Sequence, residues 1–329
     1  MFIRPFSVTG SQKIAAGCGD FFVPNRFTEE KMSTQITMSL VEQYSSNVQA
    51  LVQQKGSKLR SLVGIESVRG KNAYIDQIGQ VAAVKKTTRH ADTPRMDTPH
   101  KRRRLTLETY HWADLIDNDD KVRMLIDPAS DYANAAAWAM GRAMDQAIVE
   151  AALGTAYTGE TGSVGVELPA SQVIDAECET GFTFDKLRQI KRIFDACDAP
   201  FEGRFIVLSA TQLDNLLSET KVTSADYASA KALVRGELDT FMGFKFIQLN
   251  AKKSDGGLIL PDVMSSETKI GRSCLAFQSD GIKLGIGQDI VGKITERDDK
   301  CFATQVYYEM SIGATRMQED LVVRVNCKE

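Results

Sequence analysis

Eight cationic side chains fall between residues 85 and 104: Lys85, Lys86, Arg89, Arg95, Lys101, Arg102, Arg103 and Arg104. Only Asp92 and Asp97 oppose them in that span. The chemistry open to such a run is electrostatic, and three versions compete. It can be a solvated loop, the ordinary fate of a charge run. It can hold nucleic acid through phosphate contacts. It can clasp acidic patches on a neighbouring copy of the chain, where Arg pairs bidentately with carboxylates. No Phe, Trp or Tyr interleaves the run, so a stacking platform for bases is missing. The whole chain has 40 Lys plus Arg against 43 Asp plus Glu, a net charge of −3, so the basic character is local. Asp117, Asp119 and Asp120 form an acidic cluster further downstream and are candidate partners for the clasp.

Other reactive residue types are sparse and do not assemble into a reaction. The three His (His90, His100, His111) and six Cys (Cys18, Cys178, Cys197, Cys274, Cys301, Cys327) are scattered. There is no C-x-x-C, so the cysteines read as reduced thiols and not as a zinc site or disulfide framework. A Cys–His nucleophile pair would have to meet in space, without any local signature. Alkylation of Cys178 or Cys197 would test it. No G-x-x-x-x-G-K-[ST], H-E-x-x-H or G-x-S-x-G occurs. Gly285, Gly287 and Gly292 miss the G-x-G-x-x-G spacing and read as strand or turn. Asp119-Asp120 and Asp298-Asp299 read as turns or helix starts before acid/base pairs. The sequence therefore argues for no enzyme, no cofactor and no metal. No apolar run reaches the roughly 18 residues of a membrane span.

The elements that must position the cations come next. The length of 329 residues allows one large domain or two ordinary ones. Residues 1–31 differ from the rest; codons for Glu29-Glu30-Lys31 read as a ribosome-binding-like tract before Met32, so translation is expected to start there, with 1–31 a start-site artefact or a removable leader. An ordinary N-terminal arm is the alternative. Ser39 to Gln54 reads as an amphipathic helix, with Leu40, Tyr44, Val48, Leu51 and Val52 on one stripe and Gly56 as its stop. Ala73–Ile75, Gln80–Val84 and Leu105–Trp112 read as strands. The basic run between them holds Pro94 and Pro99 and almost no apolar residue, so it reads as the tip of a long two-stranded arm. An isolated ribbon of that kind is marginal in water. Asp127-Pro128 opens a long Ala-rich helix that Gly154 closes, roughly 38 Å at 1.5 Å per residue. Met140, Met144 and Ile148 form its packing stripe. Phe184–Cys197 reads as a second amphipathic helix with Thr183 as N-cap. Further elements are strands at Arg204–Leu208, Phe244–Leu249, Ser273–Phe277 and Ile282–Ile286, and helices at Ala210–Leu217 and Tyr227–Gly236. Two last strands, Ala303–Met310 and Leu321–Val325, are expected to join through Gly313.

Several stretches in this order carry a resemblance: Arg89-His-Ala-Asp-Thr-Pro94, Leu105–Asp117, Asp127–Gly154, Gly243-Phe-Lys-Phe246, and Ser311-Ile-Gly-Ala-Thr-Arg316 followed by Glu319-Asp-Leu-Val-Val323. From about Met32 to the C-terminus the chain resembles the major capsid protein of tailed bacteriophages, the Hong Kong phage-type capsid fold. The resemblance implies an α+β chain. Its parts are an N-terminal arm at 32–67, an extended β-hairpin loop at 68–117 and a peripheral domain at 118–200 with a spine helix at 127–154. An axial domain at 201–295 and C-terminal strands at 296–329 returning to the peripheral domain complete it. It also implies self-assembly through hexamers and pentamers into an icosahedral shell around double-stranded DNA, built in the host cytoplasm and found in the virion. Scaffolding, portal and decoration proteins are further partners on this reading; a membrane is not. The lysine–asparagine cross-link of some relatives has no residue match here. The alternatives are a cellular nanocompartment shell of the same fold, or a nucleic-acid-binding protein that uses residues 85–104.

Overall fold

Alanine-rich sequence without a β-branched run favours helix, and Ala129–Leu153 forms one of 25 residues, α1. Met140, Met144 and Ile148 lie buried on its inner stripe, as their spacing predicts. At its end the Gly154 amide bonds back to the Glu150 carbonyl at 2.8 Å. This computed structural model describes residues 53–89, 95–117, 129–219, 240–253, 257–265 and 268–329. The expected start at Met32, most of the Ser39–Gln54 helix, the Asp127-Pro128 cap and the Tyr227–Gly236 helix lie outside the described residues, as do Asp119 and Asp120.

The described residues form three sheets. The first is four-stranded, in the order β1 (Gly64–Ser67), β13 (Ile282–Arg297), β14 (Ala303–Arg316), β4 (Glu108–Ile116). The second runs β7 (Val173–Ile174), β15 (Val322–Lys328), β12 (Thr268–Gln278), β8 (Arg204–Leu208), β10 (Phe244–Gln248), β9 (Thr240–Phe241), with β11 (Asp262–Ser265) also on β12. Helices α2 (Phe184–Ala196) and α3 (Ala210–Ser218) accompany it. Thr183 caps α2 as expected, its side chain accepting from the Lys186 amide. The third sheet runs β2 (Asn72–Ile78), β3 (His100–Thr106), β5 (Ala156–Thr158), β6 (Val164–Val166). Among the described residues no helix is long and apolar enough to cross a membrane.

Side-chain alternation along the second sheet makes it a wall between two cores. Val207, Leu275, Phe277 and Val322 face the core of α1 and the first sheet. Ile206, Leu208, Cys274, Ala276, Val323 and Val325 face a second core closed by Leu187, Ile190 and Phe194 of α2. Helix α2, expected in a peripheral domain at 118–200, is thereby packed with the second sheet.

Two further details differ from expectation. Gly313 joins no two strands: β14 continues through it to Arg316. Of the C-terminal strands, β14 packs on α1, and β15 pairs parallel with β7 and antiparallel with β12. Residues 108–116, expected in the extended loop, leave it to pair with β14 from Ile116↔Thr304 to Glu108↔Ile312. The reason is one of alternation. Tyr110 and Trp112 turn inward against the α1 core, burial that a free arm could not provide.

Candidate assembly interface

The arm is the β2–β3 hairpin with its connection at 79–99. Register runs from Asn72↔Thr106 to Ile78↔His100. It is no isolated ribbon at its root, because Arg103 and Arg104 pair on their other edge with Thr158 and Tyr157 of β5. Two further strands offset the marginal stability of a lone hairpin. The Gln80–Val84 strand does not form: that stretch is exposed and unpaired.

The eight cations divide between the two parts of this arm. Lys85, Lys86, Arg89 and Arg95 lie exposed in the connection. Lys101 to Arg104 are on β3, which corrects the expectation of a single tip. Lys101 is exposed. Arg102 stands opposite Asp76 in register and clamps it with Nε–Oδ1 2.6 Å and Nη2–Oδ2 3.2 Å. Arg104 stands opposite Tyr157, its guanidinium 4.5 Å from the ring centroid. Asp117, half-buried, follows β4 directly.

Arg103 points the other way, into the body, and is only 3% exposed. Its Nε donates to the Met317 carbonyl at 3.1 Å, and its Nη2 donates to both Glu319 oxygens at 2.6 and 2.7 Å. The same carboxylate lies 3.7 Å from Nε of the fully buried Arg316. Arg316 in turn caps α1: its Nη1 donates to the carbonyls of Ala152 (2.8 Å) and Gly154 (2.7 Å), and its Nη2 to Val166 (2.9 Å). A cation at a helix C-terminus satisfies its free carbonyls and the negative end of its dipole. Within the chain Arg103 is therefore an internal anchor of the arm root, with its guanidinium committed to Met317 and Glu319.

The Asp76 carboxyl is held below its ordinary value of 3.8, chiefly by the hydrogen bond from Arg102. A lowered carboxyl contributes stability that is present above its unfolded value and lost as pH falls through the folded one. A carboxyl-carbon NMR titration should place the Asp76 midpoint below 3.8, and Arg102→Met should return it to the ordinary range. An unchanged midpoint in the variant would exclude the pairing.

Sequence reasoning missed a second anchor. Asp145 on α1 is fully buried and accepts hydrogen bonds from the Gln54 amide group, the Ser57 hydroxyl, and the backbone N–H of Lys58 (3.1 Å) and Leu59 (3.0 Å). One turn earlier Gly141 admits the crossing chain: a Cβ there would lie 2.4 Å from the Gly56 carbonyl carbon. Arg142 adds Nη1 bonds to Gln53 and Gln54, and Lys55 stacks over Trp138 at 5.5 Å. The usable signal was Trp138, Gly141 and Asp145 at helical spacing on one face of an otherwise alanine-rich helix.

What projects beyond the Arg103 anchor is an arm with little of its own to pack on among the described residues. Ile78, Val81, Val84 and Met96 are all exposed, beside four cations. Among the described residues no cluster of metal-ligating side chains occurs.

A protein-family model described as phage capsid protein matches residues 36–329. The fold is shared with the capsid of cyanophage P-SCSP1u: TM-score 0.66, 16% identity, 88% of this chain and 93% of that one. It is shared with the capsid of Helicobacter pylori bacteriophage KHP30: TM-score 0.65, 12% identity, 93% of this chain and 100% of that one. A Mycobacterium phage Che8 structure gives TM-score 0.58 at 18% identity, over 87% of this chain and 96% of that one. At these identities the likeness is one of fold. No curated protein matches.

Proposed function

This chain belongs to the phage capsid protein family, and from that premise we infer that it is a major capsid protein whose copies close into a shell. The shell consists of hexamers and pentamers, forms part of the virion and encloses double-stranded DNA. The role is structural. One observation carries the reading best: the arm exposes Ile78, Val81, Val84 and Met96 on a segment that the rest of the described residues leaves uncovered. Burying such side chains is worth about 1.5–3 kcal/mol each. A chain that leaves them open gains that energy from a neighbouring copy. Head-to-tail contacts of this kind close into rings when the rotation allows.

Lys85, Lys86, Arg89 and Arg95 then act between copies, with half-buried Asp117 among the candidate partners. Each solvated pair is worth only about 0–1 kcal/mol, but repetition around a shell multiplies it. The test is Lys85→Glu with Lys86→Glu and Arg89→Glu, read by electron microscopy and sedimentation. Shell formation should fall even without DNA, and high salt should produce the same defect in the wild type. If empty shells of the triple variant form normally and only DNA retention suffers, the cations serve DNA. If the wild type forms no shells at high concentration with scaffold supplied, the shell reading fails.

A further inference from the structure

Strand β4 pairs with β14 along one edge, through nine residues without a bulge. Its other edge has no strand partner among the described residues. Thr109, His111, Ala113 and Leu115 are exposed. The Leu115 amide takes the Asp114 carboxylate at 2.9 Å, a side-chain substitute for a strand. Proteins normally blunt such an edge with lysine, proline or a bulge. Glu108-Thr-Tyr-His-Trp-Ala-Asp-Leu-Ile116 has none of the three. The edge strands β1, β6 and β9 are short, with 4, 3 and 2 residues. The outer edge of β2 lies on the arm itself.

The same chain holds a strand sequence without a strand. Gln80-Val-Ala-Ala-Val84 follows β2 unpaired, with Val81 55% and Val84 60% exposed. We propose that Gln80–Val84 of one copy adds as a fifth strand to the outer edge of β4 in a neighbouring copy. Backbone pairing supplies the contact and alternate side chains supply its register. Charge agrees with it. Lys85 and Lys86 follow the segment, Glu108 opens β4 and Asp117 follows it, so either strand direction brings the lysines to a carboxylate. The proposal rests on the shell reading and names the segment and surface that join copies.

Proline replaces Val81, Ala82, Ala83 and Val84 one at a time in the full chain. Proline removes one backbone donor, and residues 81–84 donate to no backbone carbonyl among the described residues, so the monomer should melt as the wild type does. In an added strand only alternate donors face the partner. Two of the four variants should therefore lose shell yield by roughly tenfold or more, at alternating positions, while the other two assemble. In a Cys197→Ser, Cys301→Ser background, Val81→Cys with Ala113→Cys or Leu115→Cys should give disulfide-linked ladders from oxidised shells. Val81→Cys with Ile65→Cys, on the β1 edge, should not. Wild-type shells accompanied by four normal proline variants, by four equally defective ones, or by ladders through Ile65→Cys would overturn the strand addition and leave the shell reading intact. Absence of wild-type shells would overturn both.

Discussion

Asp145→Ala is expected to destabilise the chain by roughly 1–3 kcal/mol, the scale of buried donors left without their acceptor. The carboxylate is fully buried and no cation faces it among its hydrogen-bond partners, which are four donors from residues 54–59. Alanine leaves the Leu59 amide without an acceptor in a dry site. It also frees the segment that leads from the N-terminal arm into β1. Asn keeps the shape and one acceptor but turns an NH2 toward donors, so Asp145→Asn should fall between the two. Denaturant unfolding gives the stability change. Amide hydrogen exchange at Lys58 and Leu59 tells whether the loss is local, since those protons should exchange much faster in the variant. An alanine variant within about 0.5 kcal/mol of wild type, the range of an ordinary surface substitution, with both amides still protected, would show that Leu59 burial alone holds the segment.

Much of the fold was legible because it rests on period. The inner stripe of α1 (Met140, Met144, Ile148) and that of α2 (Leu187, Ile190, Phe194) are both buried where the 3.6-residue spacing puts them. The anchors were hidden for a different reason: each depends on a partner far away in sequence. Asp145 meets Ser57 across 88 positions and Arg103 meets Glu319 across 216. A run such as Lys101-Arg-Arg-Arg104 looks uniformly solvated until strand register is applied. Period two then sends Arg102 and Arg104 to one face and Arg103 to the other. The open segment Gln80–Val84 shows the converse. Its strand character was legible, but a strand needs a partner, and the described residues of the single chain provide none.

Glycines in the first sheet carry the second large effect. Gly285 and Gly313 stand opposite each other in the β13–β14 register, and the root of the arm crosses directly over them. A Cβ on Gly313 would lie 2.0 Å from the Thr106 carbonyl oxygen and 2.9 Å from its carbon. On Gly285 it would lie 2.5 Å from Leu105 Cδ2, and on Gly287 2.5 Å from Leu107 Cδ1. In a strand interior Gly→Ala ordinarily stabilises by roughly 0.5–1 kcal/mol through the unfolded chain. Here the sign should reverse, and the three sites should rank by what stands in the way. Gly313→Ala meets backbone, which cannot rotate aside, so the arm root itself must shift. That should cost about 3 kcal/mol or more, beyond ordinary overpacking. Gly285→Ala meets a side chain, but Leu105 is fully buried and has little room to change rotamer, so the loss should be about 1–3 kcal/mol. Gly287→Ala meets Leu107, which lies between β3 and β4 and is only half-buried, and should be the mildest. Denaturant midpoints give the order, and limited proteolysis within residues 79–99 reports whether the arm root has moved. The Gly313→Ala chain should be cut faster there and should fail to assemble, because the shift also pulls Arg103 from Glu319. If instead Gly313→Ala is as stable as wild type, with the arm equally resistant to cleavage, the glycine pair is not the seat that sets the arm's direction.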